Sequence, residues 1–289
     1  MRMGVPSDRP NMLKDMKRLS CRVLLLASFL LPLAGQSREA QRHFVNGRGL
    51  FHEHDDSGDA LREAGAEFRE ALRLAPKYAS AEAYLGLIAA EEEHFAEAET
   101  AYRRALSWDP RCAEALVGLA QLSQRGGRRD EALGLLRKAV TGVPQNVLAR
   151  HALADALTNE PVQPTAAMWQ EAIASLRVLI AIDRNDRDAQ HQLARGYRQL
   201  GRWNEAERAF REVLRIGQTR EDSDVWVYSV HAELGEALAR QGKTGEAIKE
   251  YEALIASVGA GEEEIRNARA AIAALRVTTP VCRQTPCPR

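Results

Sequence analysis

Residues 84–110 read YLGLIAAEEEHFAEAETAYRRALSWDP, and the spacing within them decides the fold. Leu85, Ile88 and Ala89 stand at i, i+3 and i+4, which lines them along one apolar stripe of a first helix. Ala98, Tyr102, Ala105 and Leu106 do the same on a second. Gly86, Ala98 and Ala105 are small where two helix axes must approach to roughly 8–10 Å. Tyr102 supplies the bulk that fills the remaining gap, against the neighbouring pair. Pro110 cannot continue a helix interior, so it ends the second helix or occupies the turn beyond it. A single pair of this kind leaves one face bare, and stacking against a copy buries it.

The copies are present. The small residue that opens the second helix falls at Ala64, Ala98, Ala132, Ala172, Ala206 and Ala247, with gaps of 34, 34, 40, 34 and 41 residues. The two long gaps hold polar insertions at helix connections, Asn159 to Thr165 with two prolines and Gln218 to Asp224. Gly127 stands five residues before Ala132, where a left-handed cap closes the first helix at little steric cost. The first pair is the least regular. Ala40, Phe44, Gly47 and Phe51 mark its first helix, and Ala64, Phe68, Ala71, Leu72 and Pro76 mark its second.

This pattern resembles the tetratricopeptide repeat (TPR), paired antiparallel helices of about 34 residues that stack into a superhelix. The resemblance implies an all-α fold, a right-handed α-solenoid of six TPR helix pairs at about 38–76, 77–110, 111–144, 145–184, 186–218 and 225–258. A capping helix is expected at 261–277: Ile265, Ala268, Ile272 and Leu275 share one face, and Glu262 to Glu264 favour its N-terminus. The tail 278–289 carries three prolines and no period, so it is expected to be unstructured.

The ends and the charge balance bound the setting. Lys14, Lys17, Arg18 and Arg22 precede the apolar run Val23 to Ala34, and small residues follow at Ala34 and Gly35. Residues 1–36 therefore read as a signal peptide, with Met12 or Met16 as a start of more usual length. The run is short for a span of about 20 residues. Gln36 stands where a bacterial lipoprotein would need cysteine. A periplasmic or secreted protein is expected, with membrane anchoring by an uncleaved segment 12–35 as the alternative, which would suit a tethered assembly subunit of an envelope complex. Forty basic residues balance forty acidic ones, which argues against a dedicated nucleic-acid protein. Arg125-Gly126-Gly127-Arg128-Arg129 is the one basic run, and it falls at a turn.

Chemistry is sparse. No phosphate-cradling loop and no GxSxG context occurs, and Glu91-Glu92-Glu93 reads as a solvated face. Cys112 reads as a packed side chain, while Cys282 and Cys287 could close a small loop in an oxidising compartment. His52-Glu53-His54-Asp55-Asp56 is the one cluster that resembles a metal site. Two histidines at i, i+2 cannot share a helix face, so a charged helix end explains them, and a metal-dependent enzyme using His52 and His54 is the weaker alternative. The expectation is a non-catalytic binding scaffold with neither cofactor nor metal, holding a protein or peptide partner.

The resemblance also implies where the partner lies. First helices of TPR solenoids line a concave groove through positions two before, two after and five after the leucine of the Leu-Gly/Ala pair. In the third repeat these are Val117, Gln121 and Gln124; in the fourth, His151, Asp155 and Thr158. The fifth contributes His191, Arg195 and Arg198, and the sixth Glu236. The second offers Ala83, Leu87 and Ala90, so the Lys/Asn carboxylate clamp of some family members has no counterpart there. Arg195 and Arg198 suit an acidic segment, and His151 beside Asp155 would make binding sensitive to pH.

Overall fold

Thirteen helices and no strand occur among the residues that the computed structural model describes, which are 37–53, 58–158, 163–217, 227–257 and 259–278. The expected signal peptide, His54 to Asp56, the proline insertion at 159–162, the connection 218–226 and the tail with Cys282 and Cys287 lie outside them. The chain divides into two compact units, Met1–Leu157 and Thr158–Arg289. The first holds α1 (Arg38–Glu53), α2 (Asp59–Leu74), α3 (Ala79–Glu91), α4 (Phe95–Trp108), α5 (Ala113–Arg125), α6 (Arg129–Gly142) and α7 (Val147–Thr158), the last of which ends at the boundary. The second holds α8 (Ala166–Ile182), α9 (Arg187–Gln199), α10 (Trp203–Gly217), α11 (Val227–Arg240), α12 (Thr244–Ala256) and α13 (Glu262–Thr278).

In the first unit α1 packs on α2, α3 on α4 and α5 on α6, while α2 meets α3 and α4 meets α5. In the second, α9 packs on α10 and α11 on α12, with α8 against α9 and α13 against α12. Of the six expected pairs, five lie wholly inside a unit; α7 and α8, the helices of the fourth, fall one on each side of the boundary.

Local chemistry sets where these helices start and stop. Ser37, Asn146, Thr165 and Asp186 each accept a hydrogen bond from a backbone N–H three residues on, at 2.9–3.3 Å, so a donor that the helix leaves without a partner is satisfied. Pro76, Pro110 and Pro144 stand two residues beyond the ends of α2, α4 and α6, where a proline blocks further helix at no cost in hydrogen bonds. The tight turns inside the pairs need one left-handed residue each, found at Gly127 (φ 74°), Gly201 (68°) and Gly242 (76°).

The turn between α3 and α4 places Glu93 in the same conformation, at φ 64°. A side chain there brings Cβ against a backbone oxygen, which costs roughly 1 kcal/mol or more. Glu93→Gly is therefore expected to stabilise the first unit by about 0.5–1 kcal/mol, net of the extra entropy of the unfolded glycine. Urea titration checks this, with Gly127→Ala moving stability the opposite way.

Packing follows the period. Ala64, Ala98, Ala132, Ala172, Ala206 and Ala247 are all fully buried, and in the five pairs that lie inside a unit a small side chain suits the close approach of two helix axes. Around them the first unit gathers an aromatic cluster in which Phe68 stacks on Tyr84 at 4.9 Å and Phe44 lies 4.9 Å from Tyr78. The ring of Tyr102 lies between Gly86 of its own pair and Gly118 of the next, which interlocks α3, α4 and α5. In the second unit Trp169, Ile173, Leu176, Phe210, Leu234 and Leu238 are buried. Ala268 and Ile272 bring the inner face of α13 down on it, and Arg276 pairs with Glu252 of α12 at 3.3 Å.

Candidate functional site

The expected partner-binding residues separate by burial. Val117 has no exposed surface, so it is a core side chain of α5 rather than part of an accessible groove. An apolar β-branched residue on a helix that packs against its neighbours is drawn into the core. Gln121 and Gln124 on α5, and His151, Asp155 and Thr158 on α7, are half-buried. They present polar atoms along two helices of the first unit, with Thr158 at the boundary.

The second unit gathers the remaining four on α9 and α11, three of them around one carboxylate. His191, Arg195 and Arg198 occupy i, i+4 and i+7 of α9, so they share a face, and they meet Glu233 of α11. His191 Nε2 and Glu233 Oε2 are 2.7 Å apart; an ionised carboxylate only accepts, so the ring proton sits on Nε2. Arg198 Nη1 lies 3.5 Å from Glu233 Oε1, and Arg195 Nε lies 3.8 Å from the same oxygen. Arg198 also donates to Glu236 Oε2 at 3.2 Å, and Arg240 approaches Glu236 Oε1 at 3.8 Å. Glu233 is only 15 % exposed, against 22 % for Arg198 and 44 % for Arg195. Glu233 is thus held low, while Glu236 at 39 % and Arg240 at 62 % reach outward with Arg195.

Glu233 and Arg240 are the members that the spacing of groove positions misses. Glu233 sits one residue before Leu234, between the positions counted as groove. Its signal is the i, i+3 spacing to Glu236, which sets two acids on α11 opposite three bases on α9.

A neighbouring network holds this face in place. Glu207 of α10 is almost fully buried and accepts from Lys243 Nζ at 2.6 Å and Gln241 Nε2 at 2.8 Å, with Arg211 Nη1 at 2.6 Å. Burial alone would raise its pKa, but those two hydrogen bonds and the Arg211 charge outweigh it, and the pKa is lowered. His231 of α11 bonds Glu250 of α12 at 2.7 Å. The rotation of α11 beside α9 is therefore fixed by polar ties as well as by its apolar stripe.

The basic run at the α5–α6 turn is dispersed by its surroundings. Arg125 lies over the ring of Phe95, Arg128 Nε donates to Glu131 at 2.7 Å, and Arg129 Nη2 donates to the Ala156 carbonyl of α7 at 2.9 Å. Three guanidinium groups facing three different partners make no phosphate-tracking stripe. Burial pushes the Cys112 thiol pKa well up, which leaves it unreactive. Among the described residues no group of three or more His, Cys, Asp or Glu side chains could hold a metal ion, and no helix is long and apolar enough to cross a membrane. His54 falls outside the described residues, so the His52–His54 pair has no geometry.

Comparison with known proteins agrees with the packing. The tetratricopeptide-repeat family matches residues 85–147 and again residues 185–258. Among curated protein sequences no match is found. Solved structures share the fold at low identity. PilF of Pseudomonas aeruginosa is 17 % identical with a TM-score of 0.59, over 82 % of this chain and 99 % of that one. PilW, a type IV pilus biogenesis factor, is 18 % identical with a TM-score of 0.54, over 81 % of this chain and 99 % of that one. YrrB, a TPR protein with an unusual peptide-binding site, is 17 % identical with a TM-score of 0.54, over 72 % and 97 %. Helix pairs closed on buried alanines at the family's period, together with two separate matches to its repeat, make this chain a tetratricopeptide-repeat protein.

Proposed function

We propose that this protein is a non-catalytic scaffold of the bacterial cell envelope that holds an acidic segment of a protein partner on the α9–α11 face. Tetratricopeptide repeats mediate protein and peptide binding; the setting and the partner's chemistry are the further step. One observation carries it: in this cluster three guanidinium groups face two carboxylates, and two of the three, Arg195 and Arg240, are exposed. Such a surplus attracts acidic segments over long range and lets a carboxylate dock on a fork of N–H donors. The N-terminal basic and apolar run supports export, and the fold shared with PilW, a pilus biogenesis factor, is consistent with assembly work at the envelope.

A photo-crosslinking residue at the exposed Gln199, one turn along α9 from Arg195, with a second variant carrying it at the exposed Arg208 of α10, tests this in bacteria expressing the full chain. A discrete adduct to an acidic protein from position 199, and none from 208, is the expected result. Equal adducts from both positions, or none in the envelope fraction, would remove the assignment.

A further inference from the structure

The first unit carries a depression of about 510 Å³ lined by Phe95, Glu99, Leu122, Arg125, Gly126 and Arg128. Its size is that of pockets which take a small ligand or one or two side chains. The wall is built where the start of α4 meets the end of α5. Phe95 and Leu122 are half-buried and supply apolar surface. The guanidinium carbon of Arg125 lies 4.4 Å from the centroid of the Phe95 ring, within cation–π range. Stacking uses the face of a guanidinium and leaves its in-plane N–H donors for a carboxylate.

The charges at this site do not cancel. Glu99 is paired with Arg103 at 2.7 Å, and Arg128 with Glu131 at 2.7 Å. Arg125 has no carboxylate partner among the described residues and is exposed. One uncompensated cation therefore sits at the rim of an apolar depression, held in orientation by an aromatic ring. A basic segment would be repelled, and a purely polar acidic one would leave Phe95 and Leu122 unused. We infer that this depression is a docking site for a peptide segment in which an acidic residue adjoins an apolar one, the carboxylate on Arg125 and the apolar side chain against Phe95 and Leu122. This goes beyond the α9–α11 reading, since every residue it uses lies in the first unit.

The test uses the full chain carrying Arg195→Gln and Arg198→Gln, so that the α9 face does not compete, and reads fluorescence anisotropy at low salt. The probe is a labelled hexapeptide of alternating Glu and Leu. Expected are saturable binding, at least tenfold weaker binding after Arg125→Glu, an intermediate loss after Arg125→Lys, and weaker binding of a Glu–Ser hexapeptide. Unchanged helical circular dichroism and melting of the Arg125 variants show that the fold is retained. The proposal is overturned if the Glu–Leu peptide fails to bind, if Arg125→Glu binds it equally, or if a Lys–Leu hexapeptide or a short oligothymidine binds as well through Arg125.

Discussion

Gly118→Ala is expected to destabilise the first unit by about 2–3 kcal/mol, the cost of overpacking a filled core. Alanine is ordinarily the better helix residue by about 1 kcal/mol, so the predicted sign is the reverse of the intrinsic preference. The reason is the ring of Tyr102. A Cβ on Gly118 would come within 2.6 Å of its Cε2 and closer still to Cζ and Cε1. The ring has no room to retreat: it is fully buried, and on its other side a Cβ on Gly86 would lie only 2.7 Å from Cε1. Gly134 on α6 is the matched control, because an added Cβ there meets nothing within 4 Å, and Gly134→Ala is expected to stabilise by up to about 1 kcal/mol. Tyr102→Leu would shed the clash and cut the cost of Gly118→Ala in the double variant, a coupling that marks the contact itself. The Tyr102 hydroxyl is buried with no hydrogen-bond partner among the described residues, so Tyr102→Phe is expected to be neutral or mildly stabilising. Urea unfolding of the five variants, followed by circular dichroism, decides the matter. Equal responses to alanine at 118 and 134 would mean that Tyr102 does not interlock the pairs.

How far the amino-acid sequence discloses this molecule depends on whether a feature is set within one pair or between pairs. The six buried alanines were legible because close helix approach excludes larger side chains at a fixed place in every repeat, and a fixed place becomes a period. Gly127 was legible for a similar reason, since the turn demands a left-handed residue; Gly201 and Gly242 meet the same demand, and Glu93 shows that one repeat meets it at a cost. The wedge of Tyr102 between its own and the next pair could be anticipated from bulk set beside small residues. Burial of Val117 could not, because groove positions were counted along one helix while burial depends on what the neighbouring helices cover. Glu233 was missed for the same reason. A helix face can be read from spacing, but the rotation of the next first helix is set by its packing on other helices, here through the His231–Glu250 and Lys243–Glu207 ties. Charges were hardest to place. Arg195 and Arg198 looked open to a partner, yet α11 already faces them with Glu233 and Glu236.

Those internal carboxylates set the second large effect, on capture of the partner that the scaffold is proposed to hold. Arg195→Gln with Arg198→Gln is expected to lower crosslinking or binding of an acidic partner by roughly a hundredfold, about tenfold for each charge-assisted hydrogen bond removed. Stability should change little, because half-exposed ion pairs contribute only about 0–1 kcal/mol each. Replacing both with glutamate goes further and would set four carboxylates across α9 and α11, with His191 and Arg240 left to balance them, so both capture and folding of the second unit should suffer. The informative variant runs the other way. Glu236→Gln removes the acid that Arg198 reaches at 3.2 Å, leaving that guanidinium freer for an incoming carboxylate. Capture is then expected to tighten severalfold and to fall more steeply with added salt, since screening acts on a larger surplus of positive charge. A partner held by apolar surfaces would be indifferent to all three changes. A partner bearing basic residues would invert the order, binding the glutamine pair at 195 and 198 at least as well as the parent chain and the Glu236→Gln variant worst. Yield of the adduct across a series of sodium chloride concentrations, measured for each variant, separates these outcomes: only an acidic partner ranks Glu236→Gln above the parent and the glutamine pair below it.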